Sequence, residues 1–147
     1  MSEEHLDKWR EKSLGWLIAV LGHEMATALD NKLKAMDLKI VHWPTLLVLW
    51  HEDGLTQAEL SARCRTAYYT TTRMLDALEQ KGLIERKAHP SSRRAHQVFL
   101  TEQGKAIKEQ GLGHAMDVNA KVLSPLSQAE QTNLLELLLK LVVAQNT

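Results

Sequence analysis

The chain has 147 residues, the length of one ordinary domain, and 44% of them are apolar, which is enough to bury a core and excludes a disordered chain. Its 18 basic and 18 acidic side chains cancel, its one cysteine excludes an internal disulfide, and no run of 18 apolar residues is present to span a membrane. The charged start, MSEEHLDKWREK, lacks the apolar stretch of a secretory signal, so a soluble cytoplasmic protein is expected.

Residues 4–36 carry apolar side chains at helical spacing from Leu6 and Trp9 to Leu29 and Leu33, without a proline, and predict one long helix. Residues 43–51 predict a short apolar helix with Pro44 in its first turn. Thr56 and Glu59 form a capping box that opens a third helix. Thr66 is placed to cap the next helix, in which Met74, Leu75 and Leu78 face a core. Gly82 suits the left-handed position that ends it. Leu83 to Lys87 begin an extended run, His89 to Ser92 read as a loop, and Ala95 to Leu100 as a second extended run. Thr101 caps a polar helix over 102–121. Ser127 and Glu130 form a second capping box, opening a helix whose leucines and valines occupy nearly every face.

Helix, tight connection, helix, glycine stop and two strands around a basic loop are the ingredients of a winged helix-turn-helix, which sets one helix into the DNA major groove. The charge distribution agrees with this. Residues 55–104 hold eight basic and five acidic side chains, a net +3, and the remainder holds 10 basic and 13 acidic, a net −3.

Leu83-Ile84-Glu85-Arg86, then Ser92-Arg93-Arg94-Ala95-His96-Gln97-Val98-Phe99-Leu100-Thr101 and Gly104, resemble the wing signature of the MarR family of transcriptional regulators. Arg94, Val98, Leu100, Thr101 and Gly104 match that signature, and Ser92 stands where an aspartate is usual. His42-Trp43 and the run from Arg73 to Ile84 are similar to the SlyA-like branch. The resemblance spans roughly residues 14–143. It implies a mainly α fold with a small β wing in a single domain over 1–147. Residues 1–36 and 102–147 would be dimerisation helices, and 43–101 the winged helix-turn-helix DNA-binding lobe. It further implies a ligand-responsive homodimeric repressor on a pseudo-palindromic operator in double-stranded DNA. The all-round apolar last helix points the same way, since a chain of this size has no spare interior for it; a monomeric bundle is the alternative.

The DNA-reading candidates are Thr66, Ala67, Tyr68, Tyr69, Thr70, Thr72 and Arg73, at the start of the second helix of the motif, where side chains reach base edges. Packing of the tyrosines in the core is the competing reading. However, Thr is a poor helix former, and a Thr70-Thr71-Thr72 run is not expected to serve stability. In the wing, Lys87, Arg93 and Arg94 are the candidates, with the arginines between the two strands and able to enter a narrow minor groove. Ser92 orients neighbouring arginines more weakly than an aspartate would.

Cys64 sits between Arg63 and Arg65, which favours a thiolate if exposed, but a buried small hydrophobe is the better reading. Glu24, His42 and His114 have no metal-site spacing among them, so no metal is expected. Arg10, Trp16, His42, Trp43 and Trp50 are candidates to line a crevice for a small aromatic or phenolic effector, and are equally consistent with core positions. No cofactor and no catalysis are expected: a Gly-rich phosphate loop, a nucleophile elbow and a supported Ser-His-Asp set are all missing. Glu52-Asp53 beside Gly54 reads as a turn. A winged-helix interaction module that has lost DNA binding remains the alternative function.

Overall fold

A computed structural model describes residues 2–146. Its helices are α1 (Glu3–Arg10), α2 (Leu14–Leu33), α3 (Trp43–His51), α4 (Gln57–Cys64), α5 (Tyr68–Gln80), α6 (Glu102–Ala106), α7 (Lys108–Leu123) and α8 (Gln128–Ala144). Its strands are β1 (Leu55–Thr56), β2 (Ile84–His89) and β3 (Ser92–Leu100), in the antiparallel order β1-β3-β2. The fold is the mainly helical winged helix-turn-helix that the sequence predicts. The chain divides into two units, one of residues 26–114 and one of residues 1–25 with 115–147.

The unit of residues 26–114 holds a dense core. Leu33, Leu46, Leu60, Leu75, Leu78 and Val98 are fully buried, drawn from five helical and strand elements that share one interior. Both capping boxes form as expected. Thr56 Oγ1 accepts from Glu59 N at 3.2 Å, and in the other unit Ser127 Oγ accepts from Glu130 N at 3.2 Å. Gly82 adopts φ 73°, the left-handed stop after α5. From there Thr101 knots the base of the wing. Its N–H donates to Leu83 O at 3.0 Å, its hydroxyl donates to Gly82 O at 2.6 Å, and Gly104 N donates to its Oγ1 at 3.1 Å. A Cβ on Gly104 would lie 2.1 Å from Leu83 O, so only glycine closes this knot. Thr101 and Gly104 thus serve architecture, and their place in the signature needs no DNA contact. The Glu52-Asp53 turn is structural too: Asp53 Oδ1 accepts from Leu100 N at 2.9 Å, and Glu52 pairs with Arg63.

In the unit of residues 1–25 and 115–147, Val118 is the only buried residue among those described, and α1 and α8 bury none. Trp16, Leu17, Leu21, Leu135, Leu139 and Val142 are all exposed there.

Four expectations need correction. The long helix over 4–36 breaks at residues 11–13, where Ser13 Oγ accepts from Trp16 N at 3.4 Å and starts α2 afresh. The helix over 102–121 divides after Ala106 into α6 and α7. The second strand begins at Ser92, three residues before Ala95, because the connection at Pro90 and Ser91 is tight. Lastly, Thr66 does not cap α5: Ala67 is its N-cap and offers no side chain for the purpose.

Candidate nucleic-acid interface

The first turn of α5 follows a three-residue connection, Arg65-Thr66-Ala67, in which Arg65 takes the left-handed conformation at φ 54°. That single conformation turns the chain sharply enough to bring α5 against α4. The angle is then held by hydroxyls and an amide. Thr71 is buried, and its Oγ1 accepts from Ser61 Oγ at 2.9 Å and shares a hydrogen bond with Thr66 Oγ1 at 2.9 Å. Gln57 Nε2 donates to Tyr68 O at 3.4 Å and also to Thr72 Oγ1. The threonine run therefore does serve stability, contrary to its poor helix propensity. Its middle member is a fully satisfied buried polar group linking two helices.

This anchoring fixes which side chains face outward. Tyr68 and Tyr69 are 59% and 67% exposed, and Arg73 is exposed on the side away from Leu75 and Leu78. Neither tyrosine packs in the core. Thr66 and Ala67 are also exposed, Thr70 and Thr72 half-buried. Seven candidate side chains thus cluster at one helix end, although Thr66 and Thr72 already have protein partners.

The wing is a hairpin with Arg86 opposite Val98 and His89 opposite Ser92, and an irregularity between Ala88 and His89. Arg93 and Arg94 are exposed, and they lie within β3 rather than in the loop between strands. Successive strand residues point to opposite faces, so the two arginines flank the ribbon instead of acting as a pair. Ser92 is likewise in the strand. Lys87 is more engaged than expected: its Nζ lies 3.2 Å from Glu85 Oε1 and 5.1 Å from the Phe99 ring centre.

Sequence reasoning missed Arg86 as more than one positive charge in a count. Its Nε donates to Glu79 Oε2 at 3.0 Å and its Nη2 to Asp76 Oδ1 at 2.6 Å. Those bonds, Glu79's first and then Asp76's, hold the guanidinium firmly protonated. The partners lie ten and seven residues back across a helix–strand turn, a separation that periodicity does not reveal.

The effector candidates fall in two groups. In the unit of residues 1–25 and 115–147, Arg10 stacks over Trp16 at 5.1 Å, while also bonding Asp7 at 3.3 Å. In the unit of residues 26–114, Trp43 is buried and meets Trp50 edge-on, with ring centres 5.5 Å apart, and Trp50 Nε1 donates to Gly104 O at 2.9 Å. His42 is buried, and its Nδ1 accepts from Lys39 N at 3.1 Å. Burial first, then Lys81 and Lys39, hold its pKa below the ordinary imidazole value. Trp50 also borders an open hollow with Leu47, His51, Lys108 and Leu112. Burial pushes the half-buried Cys64 thiol up, away from the thiolate, against a lesser opposing bond with Thr45. Among the described residues no group of three or more His, Cys, Asp or Glu is arranged to hold a metal, and no helix is long and apolar enough to cross a membrane.

The MarR family's sequence profile matches residues 38–96, from the approach to α3 through most of the wing. Among solved structures, wild-type MarR from E. coli in its apo form is 30% identical, with a TM-score of 0.76 over 88% of this chain and 96% of that one. A probable transcriptional regulator from Pseudomonas aeruginosa is 28% identical, with a TM-score of 0.81 over 89% of this chain and 98% of that one. MepR from S. aureus, solved as a DNA complex, is 26% identical, with a TM-score of 0.80 over 90% of this chain and 98% of that one.

Proposed function

The chain belongs to the MarR family of transcriptional regulators, and we propose that it is a homodimeric repressor that binds a pseudo-palindromic operator and is released from it by a small effector. One observation carries this reading: an outward-facing helix end bearing Tyr68, Tyr69 and Arg73 belongs to the same unit as a ribbon bearing exposed Arg93 and Arg94. Base edges are read by the first turns of such a helix, with Thr66, Ala67, Thr70 and Thr72 completing the surface. Lys87, Arg93 and Arg94 supply phosphate and minor-groove contacts. The likeness to MepR, which was solved on DNA, supports the same assignment.

Dimerisation follows from the apolar side chains that α2 and α8 leave exposed within one chain. A two-fold dimer sets its recognition helices about 34 Å apart, which calls for a two-fold operator. The effector is a small aromatic or phenolic compound, whose binding shifts the spacing of the two helices. The site of action is the chromosome, so the protein works in the cytoplasm and performs no catalysis.

The test is retention of genomic fragments on the purified protein at near-physiological salt, followed by sequencing. Enrichment of fragments that share a pseudo-palindrome is expected, with release by aromatic carboxylates. Uniform retention, or none, would instead favour a winged-helix module that engages proteins.

A further inference from the structure

Recognition helix and wing are joined covalently only through Lys81-Gly82-Leu83, and glycine at φ 73° is the most permissive residue for such a joint. The base of the ribbon is also held to the lobe by Thr101, by Asp53 and by the pairing of β1 with β3, but none of these touches the side chains of α5. Arg86 adds a side-chain attachment to the recognition helix itself. Asp76 and Glu79 stand three residues apart on one side of α5, and the guanidinium reaches both at 2.6 and 3.0 Å. Arg86 itself is seated opposite the fully buried Val98, so its strand position is rigid. The bridge therefore runs from the core of the sheet to the last turns of the recognition helix.

The two carboxylates are otherwise badly placed for this protein. Asp76 is three residues on from Arg73 and seven from Tyr69, on the exposed face of the helix proposed to read DNA. Negative charge there repels phosphates. Its presence makes sense if the carboxylates hold something more useful than the repulsion is harmful.

We propose that Arg86 is a positioning residue which, by clamping Asp76 and Glu79, fixes the angle of the wing to the recognition helix and so the distance of Arg93 and Arg94 from the base-reading side chains. This rests on the DNA-binding reading above. A lysine in place of Arg86 would keep the charge but not the planar fork.

The test uses the full-length protein, an operator fragment recovered by the retention experiment, and two readouts. Asp76→Ala with Glu79→Ala removes two negative charges and adds two strong helix formers, so electrostatics and propensity alone predict tighter DNA binding. The clamp predicts the opposite sign: affinity falls about fivefold, the scale of a small exposed ion network. Arg86→Gln falls by a similar factor, Arg86→Lys by less, and the triple variant by no more than either parent, since all three break one device. Hydrogen exchange of the wing amides over 85–99 should quicken in the same variants while α3 and α4 keep wild-type protection. Tighter binding by the double alanine variant, additive losses in the triple, or unchanged wing exchange would each overturn the clamp. A wild-type chain that binds no DNA, but whose wing loosens in the variants, would remove the DNA-binding reading and leave the clamp standing.

Discussion

The two units differ in how completely one chain explains them. Residues 26–114 contain nearly the whole core: every buried apolar side chain described except Val118 belongs there, and the polar groups Thr71, His42 and Trp50 Nε1 have partners, whereas His114 Nε2 is buried without one. Residues 1–25 and 115–147 form helices with apolar faces, α8 among them opened by a full capping box, yet cover almost none of that apolar surface. Helical order and burial are thus separable. A cap and a run of good formers write a helix locally, whereas burial in the second unit waits on something one chain does not contain.

The largest effect should come from attacking that difference directly. Leu135→Glu with Leu139→Glu places charge on neighbouring turns of α8, and dimerisation should be abolished in sedimentation analysis, with operator affinity reduced about 100-fold or more. A stable dimer carrying both glutamates would mean that this face is not the covered one. Next, the self-sufficient unit should be vulnerable at its knot. Gly104→Ala should cost about 2–3 kcal/mol by overpacking against Leu83 O, visible in denaturant unfolding, with self-association through residues 1–25 and 115–147 retained at temperatures below the new melting point.

Arg94→Ala should act only through DNA. Operator affinity should weaken and the dependence of log K on log salt should flatten by about one unit, since one phosphate contact is lost; an unchanged slope would remove Arg94 from the interface. A smaller effect should appear with pH. His42 has a depressed pKa when folded, so the unfolded state binds the proton more readily. Stability should hold above the ordinary imidazole value near 6.5 and decline as the pH falls below it towards the folded value. His42→Gln should flatten that part of the melting profile, and a wild-type profile already flat there would contradict the assignment. Smallest of all, Cys64→Ala should leave operator affinity within about twofold, and the wild-type thiol should alkylate slowly at neutral pH, because burial disfavours its thiolate.

Local chemistry was legible in the sequence wherever a signal and its effect lie within one turn. The Thr56–Glu59 and Ser127–Glu130 caps, the Gly82 stop and the extended run that ends at Leu100 all appear as read. The misreadings are of two kinds. Some concern boundaries that hydrophobic periodicity cannot see, such as the restart at Ser13 and the start of β3 at Ser92, which moved Arg93 and Arg94 from loop into strand. Others concern partners distant in the chain. Thr71 reads as a poor helix former until Ser61 is known to face it, and Arg86 reads as a loose positive charge until Asp76 and Glu79 are beside it. At the interface, the residue types were readable, and Thr70 and Thr72 are the less buried threonines as expected, but the bonds that Thr71 makes to Ser61 and Thr66 were not, since they depend on the angle between α4 and α5.

The division of α5 into a buried side and a free side has an evolutionary consequence. Thr71, Leu75 and Leu78 carry what the lobe needs in order to fold, whereas Tyr68, Tyr69 and Arg73 contribute little to the interior. Substitutions at the second set are therefore nearly neutral for stability, typically within about 0.5 kcal/mol at exposed sites. A lineage of such proteins can change the word it reads one letter at a time, without first acquiring compensating mutations to stay folded.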